Sequence, residues 1–267
     1  MLLTEIHGKN DFGMTPAKLS SQQLIDWITE HSKSFLSNNT PIFRGFSHTT
    51  PDLAFADTNN FHRKSSNAPN HYTLWLDNHP DWEKFPKRSK SYVGSPDFET
   101  ASSFGDVYLV IPEDTALIGV CPANDLWRSF PKVPDDLHIF MMEMVEIAEE
   151  ITGKQLPDDD YKLMKLAFDV VDIPQIKEIN LGHLSFSDEL TIEAHLETME
   201  QNHLENLGEY VAYVLDPDLD FGIITAKDFQ IHADVEVWVQ GKICLIRKSE
   251  LSKYPDVDEA LDSLGTR

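Results

Sequence analysis

The sequence predicts an α+β fold. Three observations carry that reading. A helix-patterned segment opens the chain, short apolar strand-like runs lie on both sides of a long acidic stretch with helical periodicity, and no βαβ alternation runs through it. The expected order is helix, β-rich segment, helical insert at about 123–205, β-rich segment, within a single domain spanning 1–267. No Gly-x-Gly-x-x-Gly and no Gly-rich phosphate loop follows a strand pattern, which disfavours the classical dinucleotide-binding folds.

The first helix is expected from about Ser20 to Leu36. Ser20 and Gln23 have capping-box spacing, and Leu24, Trp27, Ile28, His31 and Phe35 fall on one face. Asn38, Asn39 and Pro41 stop it. A short apolar run around one arginine, Ile42-Phe43-Arg44-Gly45, then reads as a buried strand. Residues 47–90 lack long periodicity and read as polar loops studded with aromatics such as Tyr72, Trp75 and Trp82, either surface loops with anchors or a ligand rim. Strands follow at Val107–Pro112 and Ala116–Cys121. The short turn at Glu113 and Asp114 suggests that these two form a hairpin or an edge pair.

Helical periodicity takes over from Leu137 to Ile151 and ends at Gly153. A second helix is expected from about Asp159 to Val171 and a third from roughly Asp188 to Leu215. Near the end, Val235–Trp238 and Ile243–Arg247 flank Gln240-Gly241, a plausible tight turn.

Composition narrows the function classes. The 267 residues carry 22 basic and 45 acidic side chains, a formal net charge of −23. Such a field repels a phosphate backbone, so broad nucleic-acid binding is not expected. The two cysteines, Cys121 and Cys244, are far apart and read as buried free thiols in a reducing compartment. The 11 histidines show no metal-ligand spacing, so no metal is expected. Residues 1–10 carry Glu5, His7 and Lys9 and no apolar signal region, and no run is apolar enough for a membrane span. A cytoplasmic protein is the expectation.

Three segments stand out chemically. Arg44 sits on the early strand, where a buried guanidinium must meet an anion or an acidic side chain. The serine-rich turn Arg88-Ser89-Lys90-Ser91-Tyr92-Val93-Gly94-Ser95 leads through Ala101 and Phe104 into the strand at Val107. Hydroxyls at a strand end can orient a carboxylate. Third is Asp234-Val235-Glu236-Val237-Trp238. Strand alternation puts Asp234, Glu236 and Trp238 on one side and Val235, Val237 and Val239 on the core side. Two carboxylates on one side persist where they are solvated or useful, and a charged solvent-facing strand edge is the plain alternative.

In chain order, these segments resemble the Arg–Ser–Glu signature of the mono-ADP-ribosyltransferase superfamily. The resemblance covers roughly 41–120 and 206–247 and leaves the helical insert unmatched. Residues 63–130 also look like bacteriophage-encoded proteins. The resemblance implies a split β-sandwich core and NAD as substrate. Arg44 matches the strand arginine that takes a diphosphate oxygen or ribose hydroxyl. Ser95, with the better spacing, or Ser91, in the Ser-x-Ser pattern, matches the serine that holds the catalytic carboxylate. Glu236 matches the catalytic glutamate and Asp234 the upstream acid that orients or deprotonates the acceptor.

The expected reaction moves ADP-ribose from NAD to a protein acceptor and releases nicotinamide. Two alternatives stand beside it. One is a catalytically degenerate relative acting as a ligand-binding or virion component. The other is an NAD glycohydrolase, which uses the same residues with water as acceptor.

Overall fold

The computed structural model describes residues 16–46, 50–60, 62–64, 70–132, 137–178 and 186–265. In chain order the elements are β1 (Ala17–Lys18), α1 (Ser21–His31), α2 (Lys33–Ser37), β2 (Ile42–Phe46), β3 (Leu53–Asp57), α3 (His71–Asn78), β4 (Tyr92–Gly94), α4 (Phe98–Ser102), β5 (Asp106–Pro112), β6 (Leu117–Val120), α5 (Leu137–Thr152), α6 (Tyr161–Val170), α7 (Ile173–Glu178), α8 (Phe186–Gln201), α9 (Leu207–Val214), β7 (Gly222–Thr225), β8 (Val237–Gln240), β9 (Lys242–Arg247) and α10 (Pro255–Ser263). The fold is mixed α+β with two antiparallel sheets. One has the order β1-β3-β9-β5-β2, the other β4-β8-β6-β7.

The turn read as closing a hairpin or an edge pair and the one read as a tight turn are both sheet crossings. β5 lies in the five-stranded sheet and β6 in the four-stranded one; β9 and β8 are divided in the same way. Each apolar pair therefore passes from one sheet to the other and forms no hairpin. The two crossings meet. Gly241, at φ +143°, donates its N–H to Thr58 at 2.8 Å, and Glu113 donates its own to the Lys242 carbonyl at 2.9 Å. A Cβ on Gly241 would stand 2.8 Å from that of Ala116, so the corner admits only glycine in both conformation and space.

Between the sheets Val237, Val239, Ile118, Ile111 and Leu245 are fully or almost fully buried. Burying side chains of this size stabilises by about 1.5–3 kcal/mol each. The other face of the four-stranded sheet carries Trp238 and Val93 into a second core formed with α3 and the helices α5–α9. β8 is thus covered on both sides. The expected alternation of Val235, Val237 and Val239 towards the sandwich holds, but Trp238 faces helices instead of solvent.

Several helix and strand expectations need correction. The first helix is two, broken at the fully buried Ser32, whose hydroxyl donates to the Pro112 carbonyl at 2.8 Å. Asp114 caps the new start by accepting the Ser34 and Phe35 N–H groups. The capping box at Ser20 and Gln23 is present. The segment expected as one helix from Asp188 to Leu215 is α8 and α9, interrupted where His203 takes φ +56° and Asn206 caps a fresh start. The nominally irregular stretch 47–90 contains β3 and α3, and β7 forms where no strand was expected. β3 and β7 are short and gain their order by pairing with β9 and β6. The helices extend to Val214, close to the end expected at about Leu215. Among the described residues no helix is long and apolar enough to cross a membrane.

Candidate functional site

A backbone bridge joins the two sheets along β2. Phe43 exchanges both backbone hydrogen bonds with Ser95, at 2.7 and 2.9 Å. Ser95 directly follows β4, which pairs with β8 so that Gly94 lies opposite Val237. The ladder ends there, and Ser95 and Glu236 are the next residues beyond it on the two segments. The strands carrying Arg44, Ser95 and Glu236 are therefore neighbours, although 51 and 141 residues of sequence separate them. Glycines make the contact possible. A Cβ on Gly94 would lie 2.6 Å from the Phe43 carbonyl oxygen, and one on Gly45 would lie 2.1 Å from that of Ala101 in α4.

Pleat alternation sorts the side chains at this junction. Phe43, Ser95 and Glu236 form one row; Arg44, Gly94 and Val237 form the next, on the opposite face. Arg44 accordingly lies with Phe46, its guanidinium carbon 5.8 Å from that ring centroid, and its charge acts on the Tyr92 hydroxyl. Burial pushes the Tyr92 hydroxyl well above the usual tyrosine range, and Arg44 partly offsets it.

On the other face, Glu236 is held by a residue that the sequence reading left without a role. The Arg88 guanidinium lies 2.6 Å from a Glu236 carboxylate oxygen, with the side chains 6% and 16% exposed. Arg88 opens a single 3₁₀ turn, Arg88–Lys90, fastened from several sides. The Ser91 hydroxyl donates to the Lys87 carbonyl at 2.7 Å, and the Lys87 N–H donates to Gln240 at 2.7 Å. The Arg63 N–H donates to the Ser89 carbonyl at 2.9 Å, and the Ser89 N–H donates to the buried Asp77 carboxylate at 3.2 Å. Burial raises the Asp77 pKa, and its hydrogen bonds to Ser89 oppose the shift.

Trp238 backs the pair. Its ring lies 5.6 Å from the Arg88 guanidinium carbon, and its indole N–H donates to the Pro86 carbonyl at 2.8 Å. Gly119 leaves the room for that ring: a Cβ there would sit 2.2 Å from it. Cys121 lies close by, 1% exposed. Burial drives its thiol pKa well up, and the charge of Glu236 adds to the effect. Both cysteines are free and buried.

The remaining expected site residues divide. Ser95 is buried and its hydroxyl accepts the Asp97 N–H at 3.0 Å, which sets the chain into α4. Ser91 is fully buried and shapes the turn carrying Arg88. Asp234 precedes β8 and is exposed, its carboxylate held by Thr100 at 3.1 Å and Asn124 at 3.0 Å. Asp234 faces solvent, as a charged edge would, whereas Glu236 is partly buried beside Arg88, and β8, which follows them, is an interior strand. The signal that could have found Arg88 is local composition. Lys84, Lys87, Arg88 and Lys90 form a basic run in a chain with twice as many acids as bases. Among the described residues no group of His, Cys, Asp and Glu could hold a metal ion. Compared with known protein families, curated proteins and solved structures, the chain matches none of them.

Proposed function

We propose that the chain is an NAD-dependent mono-ADP-ribosyltransferase with a split β-sandwich core, acting on a protein acceptor. One observation supports this above all. Three segments distant in sequence, carrying Arg44, Ser95 and Glu236, converge at the junction of the two sheets, with Ser95 and Glu236 towards one face and Arg44 projecting from the other. In this reading Glu236 faces the ribose carbon of NAD. The nicotinamide–ribose bond breaks with its electron pair leaving on nicotinamide. The positive charge that develops on the ribose resembles that of glycoside hydrolysis, and a fixed carboxylate stabilises it. An acceptor nucleophile then bonds to the same carbon, and Asp234 takes its proton. Ser95 holds the strand end in place beside Glu236, and Ser91 acts indirectly through the Arg88 turn.

The test is Glu236→Gln with labelled NAD and cell lysate as acceptor source. Nicotinamide release and labelling should both fall on the order of 10²–10³. The variant also leaves the Arg88 guanidinium without its carboxylate, a change that costs about 3–5 kcal/mol when such a pair is buried. Its fold is therefore checked by circular dichroism at the assay temperature. A folded variant that cleaves NAD at the parent rate refutes the assignment.

A second reading has its own observation. The Arg88–Glu236 pair occupies the carboxylate that catalysis requires. A relative that has lost transfer and binds a ligand or a virion partner would keep such a pair permanently. Absence of nicotinamide release from the parent protein selects this reading. Release without labelling selects NAD hydrolysis.

A further inference from the structure

We propose that Arg88 is an anion-operated latch. Its guanidinium holds Glu236 in the resting protein and transfers to a diphosphate when one enters, which frees the carboxylate. The identity of the diphosphate as that of NAD rests on the transferase reading above; the exchange itself rests on the geometry of the pair.

Four features carry it. First, the pair is not fully sealed, since the Glu236 side chain is 16% exposed and that of Arg88 6%. An incoming anion must displace the carboxylate to take its place on the guanidinium. Second, the guanidinium is a planar fork that suits carboxylate and phosphate oxygens alike, so the two compete for the same donors. Third, Arg88 stands on a short turn and not within a sheet, and Trp238 behind it offers a ring face for the guanidinium in either position. Fourth, the turn concentrates positive charge. Lys87 and Lys90 flank Arg88 in sequence, the Lys87 ammonium donating to the Asp77 carbonyl. In a chain of net charge −23 this is a place where an anion is favoured. Pleat alternation strengthens the case, because Arg44 projects from the opposite face to Glu236.

A latch of this kind couples the two sites by sign. Removing the carboxylate that competes for Arg88 must tighten anion binding, whereas loss of a merely structural partner has no reason to. The experiment measures binding of inorganic pyrophosphate by calorimetry and by thermal shift, in the full chain at constant ionic strength. Variants are Glu236→Gln, Asp234→Asn and the double variant Glu236→Gln with Arg88→Lys. Asp234→Asn removes an equal charge two residues away from a carboxylate that Thr100 and Asn124 hold. Close charge pairs couple strongly enough that Glu236→Gln should gain on the order of tenfold in pyrophosphate affinity. Its melting temperature should also rise more with pyrophosphate than the parent's does. Asp234→Asn should gain far less, and Arg88→Lys should cancel the gain because an ammonium lacks the fork.

An equal gain in Asp234→Asn and Glu236→Gln would mean that only bulk charge is sensed, and it overturns the latch. So does pyrophosphate affinity that is unchanged in Glu236→Gln, or absent from every variant. The two proposals separate cleanly. NAD cleavage by the parent without a selective gain in Glu236→Gln leaves the transferase and removes the latch; a selective gain in a protein that never cleaves NAD does the reverse.

Discussion

Replacing Gly94 with alanine should loosen the junction on which the proposed site is built. A Cβ at that position would lie 2.6 Å from the Phe43 carbonyl oxygen, where ordinary contact starts at 3.4 Å. The carbonyl must retreat by about 0.8 Å, judged against ordinary contact distances. It accepts the Ser95 N–H at 2.9 Å, so the bond stretches beyond hydrogen-bonding range, and the reciprocal bond at 2.7 Å is strained with it. Phe43 and Ser95 are 9% and 4% exposed, and water does not readily replace what is lost. Each buried group left unsatisfied costs about 1–3 kcal/mol. Alanine restricts the unfolded chain and returns about 0.4–1 kcal/mol. The net loss is about 1.5–5 kcal/mol, read by urea denaturation through tryptophan fluorescence. Gly153→Ala is the control: its Cβ would meet nothing within 4 Å, so only the strain of φ +63° remains, about 1 kcal/mol. If Gly94→Ala unfolds within about 0.5 kcal/mol of the parent, the two sheets are not fastened at this point and the argument from convergence falls.

Two further outcomes are expected. Gly119→Ala places a Cβ 2.2 Å from a Trp238 ring already fixed by its bond to Pro86, so the ring cannot yield cheaply; a loss of about 3 kcal/mol or more, with a shift in tryptophan emission, should follow, and a neutral result would mean the ring is mobile. Asp77→Asn tests the buried carboxylate. Its folded pKa is raised, so the folded state keeps the proton longer than the unfolded state, whose pKa is about 3.9. Parent stability therefore falls as pH rises through the window between those values and then levels off. Asparagine escapes this loss, so the variant should gain on the parent as pH rises above about 4 in denaturation curves. A difference that is flat or shrinks over that range refutes the assignment.

Some of this was legible in the residues themselves. Helix starts with local caps, such as Ser20 with Gln23, and helix stops such as Gly153 depend on bonds between near neighbours, so spacing reveals them. The strands at Ile42, Val107 and Val237 announce themselves because their side chains are buried whatever they pair with. The α+β class and the prominence of Glu236 came from the same local signals. Tertiary structure decided the rest. Whether Glu113-Asp114 and Gln240-Gly241 close hairpins or cross between sheets depends on partners far along the chain, and both cross. β3 and β7 carry too little pattern of their own and exist through pairing with β9 and β6. That Arg88, 148 residues away from it in sequence, holds Glu236 is a fact of through-space electrostatics. Periodicity records which face of an element is apolar; which distant charge a buried carboxylate meets is set only when the sheets and the Lys87–Ser91 turn have been brought together.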